Sequence, residues 1–307
     1  MAERIRKKRR HSNHQPVNER NLLAATLLNL VITVVEIIGG LLSNSLALLS
    51  DALHNLSDTF STIIAYVAIR LGKRKATAKN TFGYKRIEIL AALLNAVILI
   101  VICFYLFKEA WERIQDPQPI KSLIVIVIGM IGLGANMLAV ALLRKDSKKS
   151  INVKAAYVHL IGDSLSSVVV ILAAAAIQLF EIYWLDPVIT VLIGLYLIRE
   201  SYVILKEAVN ILMQATPGQL DLQKIQVKVE ALPNVVSLHH LHAWSLSDHE
   251  IHLEAHVELS EDMKISQMKP TQQKIEQLLR DQFHIFHTTL QFEFDPDHST
   301  TLISKGN

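Results

Sequence analysis

Cysteine is nearly absent: Cys103 is the only one in 307 residues. That excludes a disulfide within the chain and any cysteine-based zinc motif. Charge is also scarce, at 19% of residues against 51% hydrophobic, and most of the apolar residues precede position 215. A single large soluble core does not fit long apolar runs that recur at such even spacing. No GxxxxGK[ST] loop and no Rossmann fingerprint occurs, so ATP-driven pumping by this chain alone has no basis. There is no HExxH-like motif and no water-activating glutamate beside a metal pattern, which removes membrane metallohydrolysis. The N-terminus is not expected to act as a secretory signal. MAERIRKKRRHSNHQPVNER is basic and polar, and the apolar run after it is too long for a signal core. Beside a membrane span, that arm reads as a topology determinant that meets anionic lipid, not as a nucleic-acid binder.

What the chain does have is six apolar stretches, at residues 22–43, 47–69, 88–108, 120–143, 155–179 and 184–205. Each is close to the ~20 residues that a membrane helix needs, so the sequence predicts six transmembrane helices. Lys and Arg concentrate in the N-terminal arm (Arg4 to Arg10), in the second-to-third link (Arg70 to Arg86) and in the fourth-to-fifth link (Arg144 to Lys154). The opposite links LLSNSLA and QLFEIYW carry none, and KEAWERIQDPQPIK carries three. This bias predicts a multi-pass protein of an inner or plasma membrane with both termini in the cytoplasm. Trp111 and Trp184 fall at the outer edges as interfacial anchors. Gly39, Gly40, Gly129, Gly132 and Gly134 permit close helix contacts.

After position 215 the periodicity changes. Leu220, Ile225, Val229 and Leu232 form a helical stripe within 217–231, and 267–281 is helical with Ile275, Leu278 and Leu279 inward. Residues 235–246, 250–259 and 286–294 read as strands; in the second, Ile251, Leu253, Ala255 and Val257 alternate with His252, Glu254, His256 and Glu258. The order αββαβ predicts a small two-layer α+β domain. The expected layout is a basic cytoplasmic arm at 1–20, a transmembrane transport domain at 21–212, a metal-sensing and dimerisation domain at 213–296 and a flexible tail at 297–307.

Two of the apolar stretches contain a histidine four residues before an aspartate: His54 and Asp58, His159 and Asp163. Ionisable side chains are costly in hydrocarbon and mark an ion path by default. The i,i+4 spacing puts each pair on one helix face. Two imidazoles and two carboxylates make a complete tetrahedral set for a divalent metal such as zinc. The same atoms bind protons, so metal and protons compete there, which is a basis for exchange. Asp51 stands one turn before His54; Glu36, Asn95 and Asn136 read as structural, and Asn55 and Ser57 as packing or supporting groups. The competing readings are polar groups that only join helices and a relay for protons alone. Eight of the thirteen histidines lie between positions 235 and 296, near Glu293 and Asp295, a pattern that suits a regulatory metal site.

LLSDALHNLSD, FGYKRIEILAALLNA, VHLIGDSLSS, LDPVITVLIGLYLI, LHAWSL, LEAHVEL and HTTLQFE resemble the signature segments of the cation diffusion facilitator family, zinc and cadmium efflux proteins, over roughly residues 20–295. The resemblance implies six transmembrane helices, a ferredoxin-like cytoplasmic domain and a homodimer that exchanges metal for protons by alternating access. It places the transport ligands on His54, Asp58, His159 and Asp163. Histidine at the first position implies a preference for zinc over cadmium. In the cytoplasmic domain it places ligands on His239, His242, His256 and Glu293, with Asp295 as an addition. The second-to-third loop, LGKRKATAKNTFG, has neither histidine nor acid, so the further site of some relatives is expected to be missing. The fourth-to-fifth loop is short and basic, as in a bacterial-type exporter, with His11 and His14 as N-terminal helpers. The expected function is efflux of Zn2+ as both substrate and regulatory ligand; the chain is not an enzyme. The alternatives are a non-transporting zinc sensor or scaffold and an exporter of Cd2+, Co2+, Mn2+ or Fe2+, because the ligand types exclude little.

Overall fold

The computed structural model describes residues 19–72, 76–144, 151–247, 250–295 and 301–303. Most of the basic arm with His11 and His14, the basic residues at 73–75 and Lys145, Lys148 and Lys149, His249, and most of the tail at 297–307 lie outside the described residues. Six long helices come first: α1 (Glu19–Ser43), α2 (Leu46–Gly72), α3 (Ile87–Gln115), α4 (Ser122–Leu143), α5 (Ile151–Phe180) and α6 (Leu185–Leu212). They are followed by α7 (Leu222–Glu230), β1 (Val235–Ser247), β2 (Glu250–Leu259), α8 (Ile265–Phe283) and β3 (His287–Glu293). The chain forms two compact units. The first is made from the chain up to Ile63 and from Asn95–Tyr202, the second from Ile64–Leu94 and from the chain after Val203.

The first unit is built for a non-aqueous solvent. Four helices among the described residues are long and apolar enough to cross a membrane: Ile87–Gln115, Ser122–Leu143, Ala156–Phe180 and Leu185–Leu212. Val101, Leu123, Met130, Leu172 and Leu192 point outward on these helices. Such large apolar exposure is untenable in water and suits lipid, so the protein is a multi-pass membrane protein. The described apolar stretch of α1, Leu27–Ser43, is shorter. Inside the unit, Ala47 and Leu48 of α2 pack with Val125 of α4 and with Val170 and Ala174 of α5. Leu46 of α2 packs with Leu106 and Ala110 of α3 and with Val191 of α6. A Cβ on Gly40 would meet the backbone of Leu49 at 3.1 Å, so glycine favours the close approach of α1 and α2 there. Asn44 turns the chain between these helices at φ 60°, and Arg113 holds the turn, donating to Asn44 O at 2.6 Å and to Asn44 Oδ1 at 2.9 Å.

Helix α3 runs seven residues past the expected end at 108, to Gln115. Outside the apolar part, ion pairs one turn apart sustain it: Lys108 with Glu112 at 3.1 Å and Arg113 with Glu109 at 3.2 Å. Helix α7 starts later than expected because Asp221 caps it, accepting from Lys224 N–H at 3.1 Å.

In the second unit, β1 and β2 form an antiparallel pair, and β3 returns through α8 to pair parallel with β2, giving the order β1-β2-β3. Ile225, Val229, Ile275 and Leu279 from the two helices pack on Leu238, Leu253, Ala255 and Val257 of the sheet. The alternation read from β2 is therefore real, and its polar face is the one turned away from the helices. The domain is α+β.

Candidate metal centres

Helix α2 begins with its first three amides accounted for. Leu48 N–H donates to Ser45 Oγ at 3.2 Å, the usual N-cap bond. Leu46 N–H and Ala47 N–H donate to Asp186 at 2.8 and 3.3 Å, and Ser45 Oγ donates to the same carboxylate at 2.5 Å. Asp186 belongs to the first turn of α6 and is buried. A carboxylate also complements the positive end of the helix dipole. The anchor fixes α2 on α6 and thereby sets where His54 and Asp58 stand, about two to four turns further on.

His54 Nε2 lies 3.5 Å from Asp58 Oδ2, one turn along α2, and His159 Nε2 lies 3.7 Å from Asp163 Oδ2, one turn along α5. Between the helices, His54 Nε2 is 3.6 Å from Asp163 Oδ1, and His159 Nε2 is 3.0 Å from Asp58 Oδ2. These separations bracket the ~3.4 Å edge of a tetrahedron whose corners stand ~2.0–2.1 Å from a central zinc-like ion. His54, Asp58 and Asp163 each offer a ligand atom, all within 4.8 Å of one another. His159 adds a second imidazole, its ring centroid 5.9 Å from that of His54. The Asp163 side chain is 4% exposed and that of His159 45%, so the group is open on the His159 side. A cavity of about 920 Å³ lies there, lined by Asp51, His54, His159, Asp163 and Tyr196 among others.

Other polar side chains brace this group. Asp51 is buried and accepts from Ser166 Oγ and, at 3.3 Å, from Ser167 Oγ, which ties α2 to α5. Glu36 of α1 accepts from Asn55 Nδ2 at 2.9 Å, beside His54, and its Oε1 occupies the space that a Cβ on Gly132 would fill. Asn95 Nδ2 donates to Ser57 Oγ and Ser61 Oγ, both at 2.9 Å. Asn136 is buried in α4. Sequence reasoning missed Asp186 altogether; the one signal for it is a carboxylate at the start of an apolar span. It also missed Tyr196, whose ring lies 6.2 Å from that of His54.

On the C-terminal sheet, His239, His256 and Glu293 form a second group with ligand atoms within 4.8 Å of one another. His239 pairs with His256 across β1 and β2. Glu293 lies 3.3 Å from His239 Nε2 and 2.7 Å from His256 Nδ1. The structure does not bring His242 and Asp295 into this group. The β1–β2 register shifts between His239 and His242, around His240 at φ 49°, so His242 pairs with Glu254. Asp295 follows the end of β3 at φ 50° and is exposed.

A multi-pass domain with an imidazole–carboxylate group open to a cavity, followed by an α+β domain with its own ligand group, fits a cation transporter. The comparisons agree. The family model of the cation efflux transmembrane domain matches residues 22–213, and that of the cation efflux protein cytoplasmic domain matches residues 217–295. The metal cation efflux system protein CzcD of Cupriavidus metallidurans is 38% identical over 287 residues, 93% of this chain and 90% of that protein. The cadmium, cobalt and zinc/H(+)-K(+) antiporter of Bacillus velezensis is 36% identical over 299 residues, 96% of this chain and 95% of that protein. The zinc transporter ZitB of Pectobacterium atrosepticum is 38% identical over 295 residues, 94% of this chain and 90% of that protein. The chain belongs to the cation diffusion facilitator family and is a secondary transporter, not an enzyme.

Proposed function

We propose that the protein exports Zn2+ from the cytoplasm in exchange for protons. The observation that carries this reading is the convergence of His54, Asp58, His159 and Asp163 from α2 and α5, with N–O separations of 3.0 to 3.7 Å. These four side chains bind the ion as transported substrate. The donor set suits zinc, and protonation of the imidazoles and carboxylates competes with it. Alternating access then requires only that the group meet low proton activity when it loads and higher proton activity when it unloads. The zinc named for ZitB, and the cadmium, cobalt and zinc named with protons and potassium for the Bacillus velezensis protein, support this cargo and an exchange in which protons take part.

In this reading all six long helices span an inner or plasma membrane, and both termini are cytoplasmic. The loop charges support that orientation. Residues 1–20 are the arm, 21–212 the transport domain, 213–296 the sensing domain and 297–307 the tail. The last domain is ferredoxin-like, which its hairpin followed by a parallel crossover supports. It pairs two protomers and binds regulatory zinc through His239, His256 and Glu293, so that metal biases the cycle. The test is flux into proteoliposomes for Zn2+, Cd2+, Co2+, Mn2+ and Fe2+ under an imposed pH gradient. Zinc-dependent proton movement that grows with the gradient is expected. Zinc binding without flux of any ion would leave a sensor in place of a transporter.

A further inference from the structure

A second imidazole row crosses the C-terminal sheet. Trp244 of β1 pairs with His252 of β2, and His252 pairs with His287 of β3. The rings of His252 and His287 are 4.3 Å apart, and Trp244 stacks on His252 at 5.6 Å. Glu250, two residues before His252 and so on the same face, places Oε1 3.4 Å from His252 Nε2. Phe82 of the same unit closes on His252 edge-on at 5.6 Å, which leaves His252 only 3% exposed. Lys85 donates its ammonium to Glu250 Oε2. A cavity of about 230 Å³ opens beside Phe82, Lys85 and Trp244.

We propose that Glu250, His252 and His287 form a further site for a zinc-like divalent cation, and that the cation displaces Lys85 from Glu250. Two imidazoles and one carboxylate leave a fourth position to water, a common zinc arrangement. An apolar residue would fill the space between Trp244 and His287 without the cost of burying an imidazole beside a carboxylate. His252 and His256 are four residues apart on one strand, about 13 Å, too far to share an ion with His239 and Glu293. Lys85 stands two residues before α3, so cation binding frees the segment that leads into that helix.

The test uses the full chain in detergent with Asp58→Ala and Asp163→Ala to disable the transmembrane group, and His256→Ala and Glu293→Ala to disable the first sheet group. Titration with Co2+, followed by its visible absorption, is expected to show one remaining equivalent per protomer. Adding His287→Ala, at an exposed position that leaves β3 pairing intact, weakens that equivalent at least tenfold. Adding Lys85→Ala, which removes a competitor and no ligand, tightens it severalfold. No remaining equivalent, or one indifferent to His287→Ala, overturns the site; an affinity unchanged by Lys85→Ala overturns the displacement. Transport by the unmodified protein bears on neither result, so failure here is distinct from failure of the transport reading.

Discussion

Asp186→Ala is the sharpest test of how the transport helices are held. The carboxylate accepts from Ser45 Oγ, Leu46 N–H and Ala47 N–H at 2.5, 2.8 and 3.3 Å, in a buried setting. Alanine leaves these three donors without their acceptor. An orphaned buried donor costs about 1–3 kcal/mol, and loss of a charge from the positive end of a helix about 0.3–1 kcal/mol. Some relaxation and water access reduce the sum, so a loss of about 3–5 kcal/mol is expected. For a unit of this size about 1 kcal/mol moves the melting temperature by roughly 2–4 °C, so the thermal transition in detergent, followed by tryptophan fluorescence, falls by roughly 6–20 °C. Asp186→Asn keeps one acceptor and loses about half as much. Asp116→Ala, exposed and with its carboxylate accepting from nearby Gln118, is the control and changes little. A melting temperature for Asp186→Ala within about 2 °C of the control would refute the anchor.

Gly40→Ala drives a methyl group against the backbone of Leu49, which cannot rotate away, and is expected to cost about 1–3 kcal/mol in the same thermal assay. Ile275→Ala empties a fully buried position in the C-terminal core and costs about 2–5 kcal/mol, visible as lost hydrogen-exchange protection in β1 to β3. The Glu250 carboxyl is held below its ordinary range, so the stability from its pair with Lys85 is present above the unfolded value of ~4.3 and is lost as pH falls through the lowered one. Lys85→Ala therefore destabilises by less than ~1 kcal/mol at pH 7, the pair being partly exposed, and the gap to the unmodified protein closes as pH falls through the lowered value.

The parts of the site that depend on one helix were legible in the sequence. His54 with Asp58, and His159 with Asp163, share a face because i,i+4 spacing requires it, and the structure keeps each pair at 3.5 and 3.7 Å. What holds α2 to α6 and to α5 was not legible. Asp186 reaches Ser45 across 141 positions, and Ser166 reaches Asp51 across 115, and no local pattern announces such partners. In the C-terminal domain β2 was read with the bounds the structure has, because its period-two alternation is unbroken. The histidines of β1 were harder: His239, His240 and His242 look equivalent in sequence, but the irregularity at His240 sends His239 to His256 and His242 to Glu254. The ends of α3 and α7 were missed for a related reason. Ion pairs one turn apart extend one helix beyond its apolar part, and a side-chain cap delays the other.

The central claim is that the two helices grip a single ion between them. X-ray absorption of the zinc-loaded transporter, with His239, His256, Glu293, Glu250 and His287 replaced by alanine, tests it directly. The account predicts one zinc per protomer with two imidazole nitrogens and two carboxylate oxygens at about 2.0–2.2 Å, and loss of that ion together with zinc flux in Asp58→Ala. Full residual flux in Asp58→Ala, or a bound zinc with one imidazole or none, would contradict it.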